Sequence, residues 1–387
     1  MIEPSNATGE PQRRPVNPLP FGAGAALLLI LFAIGNAIGG EPGQIMAASL
    51  NALPFAVLAV LAYLGADRPN WAWVVTALWL LMMIGGLSLI AVGFGISALA
   101  DAPPTPGEPL QLSPGDWLRV ALIFLGTLAS VAVGACLLLP PVRRLVARVL
   151  PIDPDSFVHT IALVAVVTLT LICFMPLLVL GFPPMLALVD QLSGQATERG
   201  EAGQLLDLVY GLIWTIPCAI LAVGYGISRD LGQALQRLGL VRPTLRQVGA
   251  AIIIALLLVT AVQLIGIATD WLWGQFGWET TDDEAFGELM SFAINPLGAL
   301  VIGVTAGLGE ELAVRGVLQP RLGLLLSNLF FTSLHALQYS WDALLVVFLV
   351  GVACGLVRNR TNTSTAAIVH GVYNFVLVML AAVGLGG

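Results

Sequence analysis

Lysine is absent from this 387-residue chain, so all 16 of its basic residues are arginine. Charge of either sign is scarce, at 10% of residues, where a soluble domain carries about 25%. That scarcity excludes an ordinary soluble domain. The net charge of −7 comes with no basic patch, which excludes nucleic acid as a partner. Cysteine is rare: Cys136, Cys173, Cys218 and Cys354 lie in apolar runs, and none shares a CxxC spacing. The expectation is buried free thiols rather than a disulfide framework. Missing too are an HExxH pair, a GxSxG-like serine with a partner histidine, and paired carboxylates of the intramembrane aspartate type. Only three histidines are present, His159, His335 and His370, and the last two fall inside apolar segments.

Apolar sequence fills the space those absences leave. The chain is 58% hydrophobic with mean hydropathy +0.92. With no water to satisfy a lipid-exposed backbone, such a chain must hydrogen-bond within its own segments. The fold class expected is all-α, a polytopic transmembrane bundle of about eleven spans around a membrane-embedded polar cavity. The runs fall near 21–40, 45–65, 71–97, 117–140, 157–181, 205–227, 247–268, 296–318, 322–340, 342–357 and 363–384. The first run, about 20 residues, exceeds a signal peptide's apolar region, so it reads as a retained span. In this arrangement Arg13, Arg14, Arg68, Arg143, Arg144, Arg148, Arg229, Arg237, Arg242, Arg246, Arg321, Arg358 and Arg360 all fall on one side. Acidic loops, including Asp282 to Glu288, fall on the other, with Trp271, Trp273 and Trp278 nearby as interfacial anchors. The positive-inside rule then makes the N-terminus cytoplasmic. Leu231, Leu235 and Leu238, followed by Gly239, predict a short amphipathic helix on that face. Three regions result: a polar cytoplasmic N-terminus (1–20), five spans of unassigned role (21–204), and a membrane domain holding the chemistry-bearing residues (205–387).

Those residues are costly where they stand. A charge at the centre of a membrane helix costs roughly 2.5–3.5 kcal/mol on insertion scales, and Glu310, Glu311 and Arg315 lie within one short stretch. Helical geometry puts Glu311 and Arg315 on one face as an i,i+4 pair, with Glu310 turned about 100° away. Glu310 is thereby left free for chemistry. If the chain turns near Arg321 to Gly323, Glu310 and His335 each lie roughly 18–20 Å along their helices from that turn, hence level. His370 lies roughly 15 Å from the same face, and Asn374 shares its side of the helix. A glutamate with a histidine can deprotonate a water. A histidine beside an asparagine can donate to a developing oxyanion. Together they point to amide hydrolysis within the membrane.

The motifs Glu310-Glu311-x-x-x-Arg315, Phe331-x-x-x-His335 and His370-x-x-x-Asn374 resemble those of the CAAX protease and bacteriocin-processing (CPBP) family, the type II CAAX prenyl endopeptidases or abortive-infection proteins. The resemblance covers about 305–375, with a weaker stretch near 238–243. It implies a helical bundle around a cytoplasm-facing cavity and intramembrane proteolysis by a glutamate mechanism. Carried over, Glu310 is the base with His335 assisting, and His370 with Asn374 forms the oxyanion hole. Glu311, Arg315 and Phe331 shape the site or hold substrate. Val314 departs from the family, which often carries an aromatic at that packing position. Members of the family are often labelled metalloproteases, and two histidines with a carboxylate are a zinc-binding set; a metal-free site is nonetheless expected here, because asparagine is a poor zinc ligand and suits an oxyanion role.

The expected activity is therefore an intramembrane endopeptidase acting on a membrane-associated peptide or protein, with the lipid bilayer as its other partner. Arginine-only, glycine- and alanine-rich usage points to a bacterial inner membrane. The alternatives are a non-proteolytic scaffold of the same fold and a secondary transporter using Glu310 and Glu311 as ion sites. The lack of a visible repeat counts against the transporter.

Overall fold

The computed structural model describes residues 19–66, 71–100 and 112–385. The polar N-terminal segment with Arg13 and Arg14 lies outside them apart from its last two residues, as do Arg68, Asp101 and Glu108. Helix is the regular structure throughout the described residues, as a lipid-embedded backbone requires. In chain order these are α1 (Leu19–Ile38), α2 (Gly40–Ala48), α3 (Leu53–Gly65), α4 (Trp71–Leu99) and α5 (Pro114–Cys136). Next come α6 (Pro140–Val146), α7 (Phe157–Leu180), α8 (Val189–Ala222), α9 (Leu231–Leu238) and α10 (Leu245–Phe276). The last are α11 (Asp283–Leu289), α12 (Pro296–Glu311), a π-helical stretch Leu312–Leu318, α13 (Gln319–Ser333), α14 (Trp341–Arg360) and α15 (Thr363–Ala382).

Local chemistry sets the ends. Asn295 and Asn362 cap α12 and α15, accepting from Gly298 N at 2.9 Å and Thr365 N at 2.8 Å. Asp230 and Thr244 each form a reciprocal capping box, with Gln233 and Gln247, that starts α9 and α10. The predicted amphipathic helix is thus α9, closed by left-handed Gly239 (φ 71°). Of its leucines, Leu238 is buried against the bundle while Leu231 stays exposed.

Among the described residues eight helices are long and apolar enough to cross a membrane, or nine if the bent pair Gly40–Asn51 and Leu53–Gly65 forms one span. The protein is an integral multi-pass membrane protein. The expected count of about eleven is not reached by length and apolarity, because the expected runs take other shapes in three places. The second is broken by a 50° bend. The eighth and ninth form one helical stretch, Pro296–Ser333, reversed at Gly323. The first, in α1, is a shorter apolar helix. Gly323 has φ 78° and ψ 172°, a region open in practice to glycine alone. The reversal is real: Arg315 and Phe331 would be about 24 Å apart along a straight helix, yet the guanidinium carbon lies 4.9 Å from the ring centre.

α7 is the pillar of the N-terminal half. Two thirds (67%) of its membrane window is buried, against 22% for α4 and 28% for α5, so it is surrounded by protein rather than lipid. Its Leu163, Leu169 and Ile172 meet α3, α4 and, through Leu322 and Phe330, the reversed stretch that carries the polar site. A second core joins α10, α14 and α15 around Ala251, Ala255, Cys354 and Val369. Cys173, Cys218 and Cys354 are buried free thiols, as expected, whereas Cys136 at the end of α5 is exposed.

Candidate active site

Small residues bring the polar groups together. α12 and α15 touch backbone to backbone: a Cβ on Gly307 would fall 2.6 Å from Gly371 Cα and 2.8 Å from Ala367 O. One on Gly303 would fall 2.8 Å from Gly371 O. Membrane helices associate through such stripes because lipid gives them no hydrophobic drive to pair. Glu310 and Glu311 follow Gly307 by about one turn, and His370 precedes Gly371, so this close approach sets the carboxylates against the imidazole.

The contact is specific. His370 Nδ1 donates to Glu311 Oε1 at 3.0 Å, while Nε2 lies 3.7 Å from Glu310 Oε2. His370 thus sits between both glutamates. Their environments differ sharply: the Glu311 side chain is 0% exposed and that of Glu310 is 38% exposed. Glu311 Oε1 also faces Arg315 Nη1 at 3.1 Å, the i,i+4 pair expected from the sequence. That approach is an ion pair without hydrogen-bond geometry, and Glu311 Oε2 is buried with no hydrogen-bond partner.

Arg315 is held from four directions. Besides Glu311, its Nη2 donates to Gly351 O at 2.5 Å and to Asn328 Oδ1 at 3.3 Å, and its guanidinium lies over Phe331. Asn328 is fixed in turn by donating to Phe348 O at 2.8 Å. A Cβ on Gly351 would overlap the Asn328 amide, so glycine is what lets α14 close on this network. The chain carrying Arg315 is π-helical, a wider local winding that recurs at functional sites.

Phe331 stands edge-on to both histidines, with ring centroids 4.8 Å from His335 and 6.1 Å from His370. His335 lies just past the end of α13 rather than within a span reaching 340. Its Nδ1 is 3.0 Å from Phe331 O. A carbonyl can only accept, so Nδ1 carries a proton, and in the neutral ring Nε2 keeps the lone pair. Tyr339 stacks on His335, with centroids 6.0 Å apart. Asn374, half-buried and one turn beyond His370, has no side-chain hydrogen bond among the described residues.

Of the residues singled out by sequence, the structure joins Glu310, Glu311, Arg315, Phe331 and His370 in one contact network, with His335 bordering it through Phe331. Sequence reasoning missed that His370 bridges the two glutamates. It also passed over Asn328, a lone amide in an apolar run three residues before Phe331, and Gly351.

Glu311, Cys354 and His370 place one ligand atom each within 4.8 Å of one another, so reach alone would allow a metal. The fit is poor. Glu311 Oε1 is already engaged by a guanidinium and an imidazole N–H, and a dication on either oxygen of this carboxylate would stand close to the Arg315 charge.

Residues 292–376 match the family model described as type II CAAX prenyl endopeptidase Rce1-like. The stretch holds every motif residue from Glu310 to Asn374, so the match and the motif resemblance coincide, and it is a protease family. No curated protein and no solved structure matches the chain.

Proposed function

We propose that the protein is an intramembrane endopeptidase that hydrolyses a peptide bond of a membrane-associated peptide or protein with a water activated by Glu310. The observation that carries this reading is the difference between two adjacent carboxylates sharing one histidine: Glu311 is sealed and paired, and Glu310 is open. A sealed, ion-paired carboxylate positions. An open one beside an imidazole can take a proton from water.

In this reading Glu310 is the general base and His335, its Nδ1 turned to the Phe331 carbonyl, holds or shares the water through the lone pair that the neutral ring keeps on Nε2. The attacking hydroxide forms a tetrahedral oxyanion at the scissile carbonyl. Asn374 and His370 supply the donors that stabilise it. Glu311, bonded to Nδ1, stabilises His370 when Nε2 carries the proton it donates, an orienting role of the kind a buried carboxylate plays behind a catalytic histidine. The proton on Glu310 then passes to the leaving amine. Arg315 neutralises Glu311 and, with Asn328 and Gly351, fixes the wall against which substrate lies.

The test compares newly formed peptide termini in cells making wild type, Glu310→Gln or His335→Ala at matched levels. Fragments confined to the wild type support hydrolysis and name the substrate. Identical termini in all three, with the variants retaining the cellular phenotype, would replace this reading with a non-proteolytic scaffold.

A further inference from the structure

At the end of the bundle where the chain reverses, four arginines from four segments converge. They are Arg229 after α8, Arg237 on α9, Arg321 at the reversal and Arg358 in the last turn of α14. Arg229 Nη1 and Arg321 Nη2 both donate to the single phenol oxygen of Tyr63, the former at 3.2 Å. Both also reach the carbonyls that end α8: Arg229 Nη1 to Val223 O at 2.6 Å and Arg321 Nη1 to Ala222 O at 3.3 Å. Arg237 donates once, to Gly316 O at 2.9 Å. Arg358 has no hydrogen-bond acceptor among the described residues.

Among the described residues no carboxylate pairs with any of the four: arginine–carboxylate pairs form at Arg119–Asp116, Arg199–Glu41, Arg199–Asp207 and Arg315–Glu311, none of them in this cluster. Asp230, next in sequence to Arg229, is turned away to accept Gln233 N at 2.8 Å. The C-terminus of α8 offers only about half a negative charge. Arg237 registers the imbalance: burial, then the guanidiniums of Arg321, Arg229 and Arg358, push it down from 12.5 to about 9, which still leaves it positive at neutral pH. A guanidinium carries five N–H donors, so most of those on Arg237 and Arg358 remain for an outside acceptor.

The surroundings identify that acceptor's source. Leu231, Val241 and Leu245 are exposed beside the cluster, Leu245 at 90%, and Arg242 and Arg246 stand among them, also exposed. Apolar side chains interleaved with arginine at the end of membrane spans belong at the headgroup level of a bilayer. Guanidinium forks match phosphate oxygens in shape as well as charge. We propose that Arg237 and Arg358, with the added positive charge of Arg229 and the buried Arg321, form a binding site for the phosphate of an anionic phospholipid headgroup.

The full chain, purified in detergent, is titrated with phosphatidylglycerol, phosphatidylcholine or inorganic phosphate, and bound lipid is counted by native mass spectrometry alongside the thermal midpoint. Phosphatidylglycerol is expected to be retained and to raise the midpoint, and phosphatidylcholine to do neither. Replacing Arg237 and Arg358 by Gln should weaken phosphatidylglycerol binding about thirty-fold, from about five-fold per arginine at an anionic surface. The control Arg144→Gln/Arg148→Gln, which removes the same charge from the same end, should leave it within about two-fold. Arg358→Gln alone, which removes no protein hydrogen bond, gives the same reading if the double variant does not fold. Equal loss in variant and control, equal retention of both lipids, or a midpoint rise with inorganic phosphate matching that with phosphatidylglycerol would each overturn the lipid assignment.

Discussion

Replacing Arg315 by Met tests whether the buried network is an electrostatic unit. The guanidinium lies 3.1 Å from Glu311 Oε1, with the two side chains 1% and 0% exposed. At an effective dielectric of about 20, that separation corresponds to about 5 kcal/mol of attraction. Removing one partner of a buried pair costs about 3–5 kcal/mol, because the other charge stays buried alone. Met also leaves Asn328 Oδ1 and Gly351 O without their donor, at about 1–3 kcal/mol per orphaned group. A protonated His370, 3.0 Å from Glu311, would offset part of the loss. The net expectation is a destabilisation of about 4 kcal/mol. Glu311→Gln/Arg315→Met removes the stranded charge and should recover about 2 kcal/mol of it, while the lost donors remain lost. The assay is the unfolding midpoint of the purified protein in detergent for wild type, both single variants and the double. A cost for Arg315→Met below about 1 kcal/mol, or a double variant equal to the sum of the singles, would refute the reasoning.

Three more outcomes are set by geometry. Gly307→Val pushes α12 off α15, because even a Cβ there meets the backbone of Gly371 and Ala367; it should cost at least about 1–3 kcal/mol and abolish activity, read by thermal midpoint and by cross-linking between the two helices. Gly323→Ala forces a side chain into a backbone region reserved for glycine (φ 78°); a loss of about 1–3 kcal/mol in the same unfolding assay is expected. Asn374→Ala should leave the unfolding midpoint within about 0.5 kcal/mol yet lower kcat on a cleaved peptide by about 10²–10³.

The positions of glycine decide how much of this could be read from sequence. The apolar runs, the Gly239 cap of α9 and the i,i+4 pairing of Glu311 with Arg315 are local, and the local pattern exposes them. The reversal near Gly323, on which the expected levelling of His335 with Glu310 depends, is also legible as a turn. What stayed hidden is long-range. Nothing in the local pattern says that Gly303 and Gly307 face Gly371, and it is that contact which sets His370 between the two glutamates. The span count went astray for the related reason that apolarity does not reveal a bend such as that between α2 and α3. Asn328 was visible as a lone amide, but its role depends on Gly351 being small enough to admit it.

The most direct measurement takes the cleaved peptide found in cells and compares its hydrolysis by purified wild type and Glu310→Gln in vesicles, at matched folded amounts. Loss of a positioned general base is expected to slow turnover about 10²–10⁴-fold in Glu310→Gln with the peptide still bound. Turnover by Glu310→Gln within a few-fold of wild type would contradict the assignment of Glu310 as the base, and with it the central claim.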